Sequence, residues 1–349
     1  MQLSHKQIVD MITPDDAEWK RPVENRKFGI ISQGAMGHAE SLCKHVLEDE
    51  SLYWKYTQWE SFRKSVEIPV MLGMFYQDRE QRNISLRCAD LNIHPDNTYQ
   101  RPMIIYWVGT DVMNLYSAYK MGDSNYVKAL QHPNIIHVAV SRPLKEELEV
   151  FFDDVRYLPL PCPITYNPMP ITPYKRVAIY IPRGRADFFY QEYISDIAKR
   201  FPDVDFLIYG SNRVKHEAFL LFNADNVWDV GRMSRDEMER FIATISVYLR
   251  LTIHDGLPQS VQEFILAGRQ VIFNHPDIMN VQYYIDLPED FNSRHPDYEN
   301  KLDEIEFLLK RALIEDVPDV TMAEAYRDTY SHEKFRDGFY QLIEEARSK

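Results

Sequence analysis

The sequence predicts an α/β protein built as two parallel-sheet domains, and three observations carry that expectation. At 349 residues the chain exceeds what one hydrophobic core ordinarily serves. Short apolar runs that end at Gly, Ser or Pro and give way to helical patterns recur along it, the signature of parallel strands joined by crossover helices. Between Leu158 and Pro173 the recurrence stops, because Pro159, Pro161, Pro163, Pro168, Pro170 and Pro173 exclude both a helix and a central strand.

The first strand is read at residues 28–32. Gly34 and Gly37 open the turn after it, and the helix over 38–48 places Ala39, Leu42, Cys43 and Val46 on one face. Residues 68–75 and 102–108 read as buried strands, and 135–140 leads into Ser141, an N-cap for a helix over 142–152. Past the prolines the pattern restarts with strands at 177–181, 204–209, 227–230, 246–251 and 270–273 and a helix at 190–200; 299–314 and 322–347 also read as helical. The expected domains are therefore 1–165 and 166–330. Ligands of parallel sheets bind outside the carboxyl ends of the strands, so the active site is expected in a crevice between the halves.

Composition narrows the partners. Hydrophobic residues at 45% and charged residues at 27% fit a chain folded throughout, and a net charge of −13 provides no field to gather nucleic acid or an anionic membrane. Cys43, Cys88 and Cys162 stand far apart with no CxxC pair, which argues against a disulfide framework or zinc cluster and for a reducing, cytoplasmic setting. Residues 1–20 mix charges among their apolar positions, so no secretion signal is expected, and no run of about 18 apolar residues suggests a membrane span. The histidines form no metal spacing, and no metal or other cofactor is expected. Asp203 and Asp205 form a DxD triplet, but Pro202 before it and the apolar run 206–209 after it make it the entry to a buried strand.

The stretch richest in chemistry runs Arg250-Leu-Thr-Ile-His-Asp255-Gly-Leu-Pro-Gln-Ser-Val-Gln-Glu263 and on to Gly268-Arg269-Gln-Val-Ile272. A turn over Gly256, Leu257, Pro258 and Gln259, followed by a helix over 260–267, presents backbone N–H groups at a helix N-terminus, where diphosphate charge is stabilised. Glu263, about one turn inside, is placed to accept the hydroxyls of a ribose, and Asp255 to reach the sugar.

This order of acid, glycine turn, second acid eight positions on, and Gly-Arg-x-Val-Ile resembles the signature of retaining GT-B glycosyltransferases of the family-4, or group 1, type, with Asp at 255 where the pattern has Glu. Segments over 177–272 look like the family's successive elements. The resemblance implies two Rossmann-like domains facing across a cleft, with residues 331–349 forming a helix that packs back on the first domain. It implies a metal-independent transfer of a hexosyl or pentosyl unit from a nucleotide-diphosphate sugar, with retention of configuration, to an acceptor that is a glycan, a lipid-linked glycan, a small molecule or a modified base. Asp255, Arg185 and Asp111 take the catalytic positions. Gly34, Arg183, Arg185, Arg232, Met233, Arg235, Gly256, Leu257, Pro258, Gln259 and Glu263 take the donor-binding ones. The family usually has a Lys about two turns after the Arg that follows the first strand of the second domain; here no Lys appears until Lys199, and Arg183 and Arg185 are left to share its task. Val108 falls where relatives carry a His that reaches the donor sugar, which implies altered donor contacts. Ser234, three residues before Glu237, is equally a capping box for the next helix. A catalytically silent nucleotide-sugar-binding scaffold or sensor is the competing expectation, and glycosylation of modified nucleic-acid bases a third.

Overall fold

A computed structural model describes residues 26–32, 36–55, 62, 65–73, 102–120, 122, 127–128, 130–164, 166–182, 185, 187–211, 222–275, 281–315 and 317–349. The first sheet contains β1 (Arg26–Ser32), β2 (Tyr53–Lys55), β3 (Val66–Leu72), β4 (Met103–Trp107), β5 (Ile135–Ala139) and β6 (Val155–Tyr157), all parallel, in the order β2-β1-β3-β4-β5-β6. Every residue of β4 and β5 is buried, as expected for strands covered by helices on both faces. The helices here are α1 (Met36–Ser41), which continues as a π-helical turn over Leu42–Val46, α2 (Thr110–Lys120) and α3 (Arg142–Leu148). Ala39, Leu42, Cys43 and Val46 are buried together, as their spacing predicts, and the Ser141 hydroxyl caps α3 by accepting from the Leu144 N–H.

The chain crosses to the second sheet through the proline-dense segment, which carries neither helix nor strand between Tyr157 and Arg176 among the described residues. That sheet contains β7 (Arg176–Tyr180), β8 (Asp205–Tyr209), β9 (Val227–Gly231), β10 (Val247–Arg250), β11 (Gln270–Phe273) and β12 (Tyr283–Tyr284), again parallel, in the order β12-β11-β10-β7-β8-β9. Its helices are α4 (Glu192–Lys199), α5 (Arg235–Ala243), α6 (Gln259–Leu266), α7 (Tyr298–Ile314) and α8 (Val320–Thr329). From β7 the chain winds outward through β8 and β9, then returns to add β10, β11 and β12 on the other side. The order reverses between β7 and β10, so the loops after these two strands flank the crevice where an open parallel sheet binds its ligands.

Gly268 ends the turn after α6 at φ +73°, and a Cβ there would lie 2.7 Å from Pro318 Cβ, so glycine lets α6 close against the segment leading into α8. The single helix expected over 322–347 is two. Ser331 turns extended and its hydroxyl accepts from Lys334, which ends α8 and starts α9 (His332–Ser348). The last helix returns to the first sheet. Its Phe339 ring centroid lies 5.7 Å from that of Phe28 and 6.4 Å from that of Tyr106, and Arg156 pairs with Glu345 at 2.7 Å. Two facing α/β domains tied by a returning C-terminal helix are the architecture the sequence predicts.

Candidate functional site

At the reversal of the second sheet, β10 ends in Arg250 and the loop that follows leads into α6. The N-cap of α6 is Pro258, in extended conformation and with no side chain that can accept, so it makes no capping bond to the N–H groups of the helix's first turn. The helix thus begins at Gln259, within one residue of expectation. Leu257 and Pro258 are buried, while Gln259 is half-buried.

Asp255 stands at the mouth of this loop. Its Oδ2 accepts from Arg250 Nε at 2.8 Å and Nη2 at 2.6 Å, and its Oδ1 from the Gly256 N–H at 3.0 Å. Arg250 is buried; its Nη1 lies 3.3 Å from Ser260 Oγ in the first turn of α6 and 3.4 Å from the Tyr248 hydroxyl. Tyr248 in turn contacts Ser260 Oγ at 2.8 Å and receives the Tyr209 hydroxyl at 3.1 Å. Burial works against the Arg250 charge, but Asp255 and Tyr248 outweigh it and raise its pKa above the ordinary arginine value.

Arg185, from the loop after β7, faces the same spot. Its guanidinium stacks 4.1 Å from the Phe188 ring, and Nη2 donates to Thr110 Oγ1 at 3.1 Å, a bond that crosses from the second domain to the start of α2 in the first. Burial lowers its pKa, and neighbouring Asp255 opposes that shift.

A second crossing is made by backbone alone. A Cβ at Gly256 would sit 2.0 Å from the Val108 carbonyl oxygen and 3.1 Å from Gly109 N, so only glycine lets the two domains touch here. A third is the contact of His254 Nε2 with the Glu147 carboxylate at 3.1 Å. Neither this pair nor Arg250 was expected as part of the site. Arg250 and Asp255 are joined across a strand end, a relation with no periodic signal, and His254 and Glu147 are 107 residues apart.

Glu263 is buried on α6. Its Oε1 accepts from Arg235 Nη1 at 2.5 Å and from Gln259 Nε2 at 2.9 Å; burial pushes its carboxyl up, against the opposing pull of Arg235 and Gln259. Arg235 thus meets Glu263 directly. The loop before it leaves Arg232 exposed and Met233 half-buried, and Ser234 and Glu237 form a complete capping box for α5.

Asp111, expected at a catalytic position, lies at the start of α2. It is 1% exposed, and its carboxylate accepts from the N–H groups of Val108, Gly109 and Val112, so it fixes the turn that starts α2. These bonds tie its carboxylate to the backbone of the turn. Val108 is held in place by the same carboxylate and turns its carbonyl to Gly256. Gly34 and Arg183 lie outside the described residues.

Asp205 begins β8 at the strand end away from the crevice and pairs with Arg176 at 3.4 Å. A depression of about 550 Å³ on that far side, lined by Lys199, Asp205, Asn223 and Trp228 among others, shares none of the crevice residues Arg185, Arg235, Arg250, Asp255, Gly256 and Glu263. Among the described residues no group of three or more His, Cys, Asp or Glu is placed to hold a metal ion, and no helix is long and apolar enough to cross a membrane.

No protein-family model matches the sequence, and no curated protein matches it. Solved structures do. The chain is similar to HepE of Anabaena in complex with UDP-glucose, with a TM-score of 0.56 at 11% identity over 92% of this chain and 99% of that one. It is also similar to WaaG, a glycosyltransferase involved in lipopolysaccharide biosynthesis, with a TM-score of 0.54 at 10% identity over 90% and 99% of the two chains. A variant of S. aureus TarM bound to UDP aligns with a TM-score of 0.55 at 15% identity over 80% of this chain, which spans only 55% of TarM. At such identities the likeness is one of fold, the GT-B arrangement of two facing α/β domains.

Proposed function

We propose that this chain is a GT-B glycosyltransferase that moves a sugar from a nucleoside-diphosphate sugar to an acceptor. The observation that carries the reading is the N-terminus of α6, whose N-cap Pro258 provides no side-chain cap, set at the sheet's order reversal on the same crevice as Arg185. Helix dipole, first-turn N–H groups and a guanidinium converge there on the charge a diphosphate brings. HepE, crystallised with UDP-glucose, and TarM, with UDP, support the donor class.

In this reading Asp255 accepts hydroxyls of the donor sugar, Glu263 faces the ribose, and Arg235 and the loop before it lie on the nucleoside side. The bond from the anomeric carbon to the β-phosphate oxygen breaks, and the electron pair leaves with the diphosphate, whose growing charge Arg185 and the α6 N–H groups stabilise. The acceptor oxygen bonds the anomeric carbon from the same face, and its proton passes to the departing phosphate, which retains configuration. No protein base and no metal is required. The bonds that cross between the domains bring Thr110 and the Val108 carbonyl to the donor loop and exclude water from it. Cys43 and Cys162 are buried free thiols, which supports a reducing compartment.

One observation favours a silent nucleotide-sugar binder instead: Asp255 and Glu263 are both already ion-paired, with Arg250 and Arg235. Thermal shift with UDP-, GDP- and dTDP-sugars, followed by an assay of diphosphate release, separates the readings. Stabilisation with release supports the transferase, stabilisation without release supports the binder, and no stabilisation by any of them defeats both.

A further inference from the structure

Every edge of the Arg250 guanidinium is committed. Nε and Nη2 both reach Oδ2 of Asp255, Nη1 reaches Ser260 Oγ and the Tyr248 hydroxyl, and the guanidinium carbon lies 5.3 Å from each of the Tyr180 and Phe189 ring centroids. Asp255 and Ser260 stand at opposite ends of the donor loop. Asp255 is the acid assigned to the sugar, and Ser260 lies in the turn of α6 assigned to the diphosphate. We infer that Arg250 is a positioning residue that ties these two ends together, so that one buried cation fixes the spacing between the sugar-binding carboxylate and the anion-binding helix end. The inference rests on the proposed donor site.

The geometry explains why the cation is an arginine. Two donors side by side are needed to hold one carboxylate oxygen, and a third, on the far side of the same rigid plane, to hold Ser260. A lysine supplies a point charge that satisfies Asp255 or Ser260, not both at a set distance. The aromatic rings on Tyr180 and Phe189 keep the plane from swinging, so the spacing is set before the donor arrives. Charge follows the same logic: Arg250 neutralises Asp255 locally, which leaves the charge of Arg185 for the diphosphate.

The test is calorimetric titration of the full chain with UDP, GDP and dTDP and with their glucose conjugates, on wild type, Arg250→Lys, Asp255→Asn, Ser260→Ala and the double variant Arg250→Lys/Asp255→Asn. Thermal melts run alongside report folding, and Ser260→Ala and Asp255→Asn keep the test informative if Arg250→Lys folds poorly. Asp255→Asn is expected to weaken the sugar conjugate about 10-fold while sparing the bare diphosphate, and Ser260→Ala to weaken both equally by a few-fold. Arg250→Lys is expected to weaken the conjugate about 10- to 100-fold, and the double variant to be no worse than Arg250→Lys alone, because the acid has already lost its holder. Full additivity of the two substitutions, or an Arg250→Lys protein that binds the conjugate like wild type, overturns the inference and leaves the donor site standing. Wild type that binds none of the six ligands overturns the functional reading and the inference with it.

Discussion

Gly256→Ala perturbs the point where the domains meet. The added methyl carbon would lie 2.0 Å from the Val108 carbonyl oxygen and 2.6 Å from its carbon, both backbone atoms of a turn that Asp111 holds through three N–H groups. Ordinary contact begins at 3.4 Å, so the two loops must part by about 1.4 Å. Neither side yields cheaply. The Val108 turn is pinned by a buried carboxylate, and the Gly256 loop by the pair of Arg250 with Asp255 at 2.6 Å. The expected cost is about 1–3 kcal/mol of stability, the range for overpacking a close contact. The expected kinetic cost is larger, about 100-fold in kcat, because a displacement near 1 Å at a reacting centre costs that much. Steady-state kinetics on the donor found by thermal shift, paired with urea unfolding, read both quantities. A Gly256→Ala protein with wild-type kcat and unchanged unfolding would refute the reasoning, since it would mean that the domains do not touch here while the chain works.

Three further outcomes are expected. Arg185→Ala should lower kcat about 100-fold with a smaller change in donor affinity, because the charge it answers grows as diphosphate departs; equal losses in both would place it in ground-state binding. Glu263→Gln should weaken donor binding about 10-fold in calorimetry, since its carboxylate is the acceptor for Arg235 and Gln259 and the expected one for ribose; unchanged affinity would remove it from the site. His137 titrates against the fold. Burial lowers its pKa from 6.5 to about 4, while its ring accepts from Trp107 Nε1 at 3.1 Å and contacts the Leu130 carbonyl at 2.9 Å. The unfolded chain therefore binds a proton near 6.5 that the folded chain refuses until about 4, so stability is full above this window and falls by about 3 kcal/mol as pH drops through it. Urea unfolding at several pH values should show that slope in wild type and a shallower one in His137→Gln.

What was legible in the sequence followed periodicity and punctuation. The run through 270–273 and the helical face of Ala39, Leu42, Cys43 and Val46 declared themselves by apolar spacing, and Ser141 and Ser234 by cap chemistry. The strands β2, β6 and β12 escaped because two or three residues carry no period. The helix α2 escaped because Thr110 and Asp111 read as a turn, and Asp111 proved to be the residue that builds that turn from within. In the site, the Gly256 turn and the start of α6 were legible, because a glycine before a helix has a local cause. The partners of the two acids were not, since Arg250 reaches Asp255 around a strand end and Arg235 reaches Glu263 across 28 residues.

The most direct measurement is a crystal structure of the chain with the nucleoside diphosphate that stabilises it most. The diphosphate is expected within hydrogen-bonding distance of the Gln259 and Ser260 N–H groups, with Arg185 on its open side. Density for it at any other place, or an α6 terminus covered by protein with the ligand bound elsewhere, would contradict the assignment.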